Sequence, residues 1–140
     1  MDVSALGYGN NLFILPFDHR SSFEAGLLGT SGQPPGPKEV ELLSAYKQVI
    51  FEGFLEALEN GVPKEIAAIL VDQKYGERIL ADANQRGITT CTSVEKSGQA
   101  EFDFEYGDGF GKRLRDAAPT FAKALVRYNP DGDSAGNENQ

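Results

Sequence analysis

Four short stretches of this 140-residue chain end an apolar or β-branched run with side chains able to do chemistry. Residues 12–23, LFILPFDHRSSF, deliver Asp18, His19 and Arg20 without a gap. Residues 67–76 (AAILVDQKYG) present Asp72, and residues 89–98 (TTCTSVEKSG) present Glu95 and Lys96. Residues 121–130 (FAKALVRYNP) present Arg127. A carboxylate beside an imidazole offers proton transfer near neutrality, and a guanidinium offers bidentate anion binding. Lys96 can clamp a phosphate or carboxylate, or serve as an amine nucleophile if burial depresses its pKa, and Gly98 behind it permits close backbone approach to a ligand.

Each of these residues also has a purely structural use. Asp18 can cap a turn and pair with Arg20. Asp72 can cap the helix that begins near Tyr75. Lys96 can sit in an exposed ion pair with little energetic effect. Arg127 can pair with Glu95 or Asp72 on a neighbouring strand. Recurrence of the same design at four strand ends favours a functional use for Asp18, His19 and Arg20 and a binding role for Lys96, with Asp72 and Glu95 as further candidates, while Arg127 stays open between a structural pair and an anion contact.

The elements that must position them follow from periodicity. Unbroken apolar runs bounded by turn signals suit strands covered on both faces, as in parallel sheets. Strands are expected at 12–17, 67–72, 89–94 and 121–128, with Pro16 tolerable near a strand end or edge. The longest helix is expected over 38–60, where Pro37 fits the first helical position, apolar residues recur at 40, 43, 46, 50, 54, 55 and 58, and Gly61 then Pro63 stop it. Further helices are expected at about 75–86 and 109–118. Residues 21–36, rich in Gly and Pro, read as a long loop with one short helical turn. The acidic aromatic connector 101–108 (EFDFEYGD) reads as a short strand, a lid or a surface loop. Residues 129–140 lack core-forming side chains and read as a turn followed by a frayed end.

Strand and helix thus alternate through about four strands and three helices, which implies parallel strands joined by right-handed crossovers. The spacing between the tips Asp72, Glu95 and Arg127, about 23 and 32 residues, is near that of βαβ units. An open four-stranded sheet and the N-terminal half of an eightfold (β/α) barrel both satisfy this pattern. No GxGxxG turn follows the first strand, which argues against a dinucleotide fold.

Composition narrows the function. A net charge of −8 with no basic block opposes binding to a phosphate backbone, so nucleic acid is not an expected partner. No apolar run is long enough to span a bilayer and the first residues lack a signal-peptide pattern, so a cytoplasmic protein is expected. One cysteine, Cys91, cannot form an internal disulfide and reads as an inert core thiol. A single histidine and no cysteine pair give no zinc spacing, so no metal or other cofactor is expected.

Several motifs in this order match a known family. The segments LFILPFDHRSSFEAGLLG, GFLEALENGVPKE, ILVDQKYG, VEKSGQAEFDFEYGDGF and PTFAKALVRYNPDGD resemble the aldolase-like barrel domain found alone or fused behind the sugar kinase of myo-inositol breakdown, 5-dehydro-2-deoxygluconokinase. More distantly, the strand tips are similar to those of class I tagatose-bisphosphate aldolases, whose first strand ends Asp-Gln-Arg and whose third carries Glu-Lys-Thr-Gly. Here the matching residues are Asp18-His19-Arg20 and Glu95-Lys96-Ser97-Gly98. The resemblance implies a TIM barrel that cleaves a phosphorylated keto sugar acid through a lysine Schiff base, without metal, giving dihydroxyacetone phosphate and malonate semialdehyde. It places the Schiff-base lysine on a sixth strand, beyond the four read here, and makes Lys96 an assisting amine, so that Asp18 and Lys96 are the expected catalytic groups and His19, Arg20, Asp72, Glu95 and Arg127 the expected substrate contacts. The expectation is a lyase domain inactive by itself, paired with another copy through exposed sheet edges. The alternative is a noncatalytic sugar-phosphate-binding or regulatory module associated with a carbohydrate kinase.

Overall fold

The computed structural model describes residues 8, 9, 11–29 and 33–138. Four strands, β1 (Phe13–Pro16), β2 (Ala67–Leu70), β3 (Thr89–Ser93) and β4 (Phe121–Lys123), form one sheet in the order β1-β2-β3-β4. Every neighbouring pair is parallel, with Phe13 opposite Ala67, Ala68 opposite Thr89 and Cys91 opposite Phe121. The helices are α1 (Ser21–Leu28), α2 (Pro37–Glu59), α3 (Gln73–Gln85), α4 (Phe110–Ala117) and α5 (Ser134–Glu138). This is the parallel α/β arrangement of half a (β/α) barrel. Strand order that never reverses, combined with right-handed crossovers, sends the connecting helices to a single face of the sheet.

That face holds the core. Ala67, Ile69 and Val71 from β2 and its end meet Phe51 and Phe54 of α2 and Ile79, Leu80 and Ala83 of α3, with Phe17 and Ile88 closing the cluster. Alternation along a strand then assigns the intervening positions, Ile14, Ala68, Cys91, Ser93 and Lys123 among them, to the opposite face.

Local chemistry explains the helix ends. Pro37 occupies the first turn of α2, and the Glu39 carboxylate accepts the Gly36 N–H at 2.7 Å. The helix stops at Asn60, and Gly61 follows at φ 102°, a conformation that favours glycine. Helix α3 starts on Asp72, whose Oδ1 accepts the Tyr75 N–H at 2.9 Å. It needs glycine at its fourth position, because a Cβ on Gly76 would lie 2.3 Å from Val71 Cγ2.

The structure departs from the sequence reading in four places. Residues 21–28 form a two-turn helix, longer than the one short helical turn expected there; Gly29 in the left-handed conformation bonds back to Ala25 O, and Glu24 is held by Lys74 at 2.9 Å and by the Tyr75 hydroxyl at 2.5 Å. Strand β4 ends at Lys123 instead of Tyr128, and Leu125, Val126 and Tyr128 are exposed. The buried stripe of α2 runs through Leu43, Lys47, Phe51 and Phe54, so Tyr46, expected inside, is 46% exposed while Lys47 is 1% exposed. Finally, the tail carries a short helix, Ser134–Glu138, where only a turn was expected. Asn137 donates from its side chain to Asn129 O at 2.6 Å, and Asp133 accepts the Gly136 N–H, so polar side chains hold a short helix without a core. Residues 1–7, 10, 30–32 within the Gly- and Pro-rich segment, and 139–140 at the end of the tail lie outside the described residues. Among the described residues no helix is long and apolar enough to cross a membrane.

Candidate functional site

Strands of a parallel sheet finish on one edge, and here three of them bring their tips to one cavity. Asp18, His19 and Arg20 after β1, Glu95 and Lys96 after β3, and Arg127 beyond β4 all line an open pocket of about 340 Å³. Lys123 of β4 lines it as well.

At its base is a network of alternating charges. Lys123 Nζ donates to Glu95 Oε1 at 2.8 Å and to Asp18 Oδ2 at 3.1 Å. Arg20, almost wholly buried, donates from Nη2 to the same Glu95 oxygen at 3.1 Å. Its Nη1 donates to the Glu95 carbonyl at 2.6 Å and to Glu105 Oε2 at 2.9 Å. Burial pulls the Lys123 ammonium down, but its bonds to Glu95 and Asp18 outweigh this, so its pKa is raised and the amine stays protonated. Glu95 is 5% exposed, and its second oxygen, Oε2, has no hydrogen-bond partner in the protein; neither does Ser93 Oγ, two residues earlier. A buried carboxylate whose first oxygen is held by two cations thus keeps one acceptor unmet by the protein.

Glu105 reaches Arg20 because the acidic connector folds back on β3. Lys96 N–H donates to Asp103 O and Glu105 N–H to Val94 O, an antiparallel bridge that places Phe104 opposite Glu95. The ring of Phe104 stacks on Phe110 at 3.7 Å, and Phe102 meets it edge-on at 4.9 Å. The connector is therefore a short pairing segment with its aromatic rings clustered, which forms one wall of the pocket.

At the rim, Lys96 is exposed and lies 3.5 Å from Asp103, and His19 and Arg127 are exposed too. Ser21 Oγ donates to Ser97 Oγ at 3.0 Å, tying the β1 tip to the β3 tip.

Asp72 is the sequence-predicted residue that does not join this cavity. Its Oδ1 caps α3, and its Oδ2 receives a short charged hydrogen bond from Lys47, both side chains being 1% exposed. Lys47 Nζ also donates to Phe17 O at 2.7 Å and His19 O at 2.9 Å, and it lies over the rings of Phe23 and Tyr75. Burial lowers the pKa of this ammonium, against the opposing pull of Asp72. Lys47 and Asp72 thereby hold the backbone on either side of Asp18, a positioning role in place of the substrate contact expected for Asp72. Arg20 likewise pairs with Glu95 and Glu105, not with Asp18, which faces Lys123.

Cys91 is buried with its thiol pushed up, first by desolvation and then by the Asp18 charge, in keeping with an inert thiol. No group of three metal-ligating side chains occurs among the described residues.

The family described as "Uncharacterized protein conserved in bacteria (DUF2090)" matches residues 6–140. The chain belongs to this family. It is also similar to the flavin-dependent thymidylate synthase of Thermotoga neapolitana, at 25% identity over 97 residues, or 69% of this chain and 45% of that protein. The chain therefore spans less than half the length of that curated relative, and a likeness this partial transfers no activity. No solved structure matches.

Proposed function

We propose that the pocket binds a phosphorylated keto sugar acid, of the 6-phospho-5-dehydro-2-deoxygluconate type, as part of a class I aldolase-like lyase site. The supporting observation is the convergence of Asp18, His19, Arg20, Glu95, Lys96 and Arg127 on one cavity at the carboxyl edge of a parallel sheet, the edge on which barrel enzymes build their sites. In this reading Lys96, His19 and Arg127 at the rim take the anionic ends of the ligand. Asp18 accepts and returns a proton during carbon–carbon cleavage, and Lys123, kept protonated by Asp18 and Glu95, offsets negative charge that develops beside it. Arg20 holds Glu95 in place. The resemblance puts the covalent amine on a sixth strand and makes Lys96 an assisting one, and neither inward lysine of this four-stranded unit offers a free amine: Lys123 is protonated and Lys47 is committed to three acceptors.

That last observation also favours a second reading, in which the domain binds a sugar phosphate without turnover and regulates a carbohydrate kinase partner. Calorimetric titration separates both from no function at this site. 6-Phosphogluconate is expected to bind at least about tenfold more tightly than gluconate, a difference of about 1.4 kcal/mol, and Lys96→Ala and Arg127→Ala each to reduce that preference. Equal or absent binding of the two acids would refute the phosphate-site reading. Borohydride treatment with a keto sugar phosphate then distinguishes the two: the lyase reading requires a covalent adduct once four further strand and helix units are supplied, and the binding reading requires none.

A further inference from the structure

A buried polar side chain ordinarily has a hydrogen-bond partner, so an exception calls for a reason. Among the described residues, the buried side-chain nitrogen and oxygen atoms without one are Arg20 Nε, Ser93 Oγ and Glu95 Oε2. They share one neighbourhood. Arg20 donates to both the carboxylate and the carbonyl of Glu95, and Ser93 precedes Glu95 by two residues, which puts the two on the same side of β3 and its extension. That side faces away from the helices. The β3 hydroxyls on the helix side are satisfied: Thr92 Oγ1 donates to Val71 O at 2.7 Å and Thr90 Oγ1 to Asn84 Oδ1 at 3.0 Å.

The three atoms together specify one kind of group. Arg20 Nε only donates, a carboxylate oxygen only accepts, and a serine hydroxyl does either. An anion here would face Glu95 and Asp18, the two carboxylates that share Lys123. An ammonium would face Arg20 and Lys123 and could accept from neither. A hydroxyl accepts from Arg20 and donates to Glu95 without adding a charge to a site whose charges are already paired. Arg20 and Glu95 both line the open pocket, so a hydroxyl seated at its floor comes against this group. The anionic ends of a ligand then stay at the rim with Lys96 and His19, and the carbons between them lie inward.

We infer that the pocket selects its ligand by a hydroxyl group, held at the floor by Arg20 Nε, Ser93 Oγ and Glu95 Oε2. The inference deepens the sugar-phosphate reading above and rests on its placing of a hydroxylated acid in this pocket. An ordered water offers the same chemistry, and the test separates the two sources. Calorimetric titration compares 6-phosphogluconate with 6-phosphonooxyhexanoate, which keeps both anionic ends and lacks the hydroxyls, and gluconate with hexanoate. Each hydroxylated acid is expected to bind at least about tenfold more tightly than its hydroxyl-free counterpart. Ser93→Ala deletes an oxygen that bonds to nothing in the protein. Its thermal midpoint is expected to equal or exceed that of the wild type, while both preferences fall by about threefold or more. A structural role for Ser93 would instead lower the midpoint and leave the preferences unchanged. Equal binding of hydroxylated and hydroxyl-free acids would overturn the inference; an intact phosphate preference would then leave the phosphate site standing, and a lowered Ser93→Ala midpoint would assign the three atoms to a water. A preference that survives Ser93→Ala would overturn the placement of the hydroxyl. A hydroxyl preference without a phosphate preference would refute the phosphate site and support the hydroxyl site, and failure of all four acids to bind would overturn both.

Discussion

Replacing Lys47 by Met tests how the pocket is held. Methionine keeps most of the aliphatic stem, so no large cavity opens, but the ammonium and its three bonds are lost. Asp72, 1% exposed, would keep only its bond from the Tyr75 N–H, and the carbonyls of Phe17 and His19 would lose the donor that Lys47 gives them. Removing one member of a buried ion pair costs about 3–5 kcal/mol, since the other charge is left uncompensated. For a chain of this size that is a fall in Tm of roughly 10–20 °C. The double variant Lys47→Met/Asp72→Asn removes the stranded charge while asparagine still caps α3, and is expected to recover at least about half of the loss. Urea unfolding of the wild type, both single variants and the double variant gives the coupling directly. Because the Lys47 contacts bracket Asp18, 6-phosphogluconate binding should weaken in Lys47→Met even at temperatures where the variant is fully folded. A Lys47→Met cost below about 1 kcal/mol, in the range of an exposed pair, would refute the view that this lysine fixes the strand ends.

Three further outcomes follow from the same packing. Lys47 should contribute stability that rises as pH climbs toward 10: burial lowers its folded pKa below 10.5, so the unfolded chain binds more protons in that interval, and the penalty for burying the ammonium is relieved. The contribution is read as the difference in pH-dependent urea midpoints between wild type and Lys47→Met, because Cys91, raised above 9.0, and at higher pH Tyr75, Tyr106 and Lys123, also raised, act in the opposite direction in both proteins. Gly76→Ala should destabilise by about 1–3 kcal/mol through overpacking against Val71, whereas Gly53→Ala, with open space around it in α2, should stabilise by about 0.5–1 kcal/mol; thermal melts that rank the two the other way would contradict the packing described. Arg20→Lys should cost about 2 kcal/mol or more in chemical unfolding, because one ammonium cannot reach Glu95 Oε1, the Glu95 carbonyl and Glu105 together.

What the sequence by itself determined about this chain is what depends on local chemistry and on period. Pro37 and Gly61 bound α2, apolar runs followed by turn residues mark β1 to β3, and alternation of strand with helix implies a parallel sheet. Once the strands are parallel, their tips must emerge on one edge, which is why Asp18, Glu95, Lys96 and Arg127 were recognisable as neighbours. The partners within that edge were not. One position along a helix is a turn of about 100°, so Tyr46 and Lys47 compete for the same burial, and only the packing of α2 against β2 and α3 put Lys47 inside beside Asp72. A lysine spaced four residues from Leu43 and from Phe51 was the available signal. Lys123 meets Glu95 through the register of β3 with β4, and Glu105 meets Arg20 through an antiparallel bridge whose spacing no helical or strand period encodes. Those pairings connect residues 25 to 85 positions apart, and tertiary structure decided them because burying one charge forces it to find another.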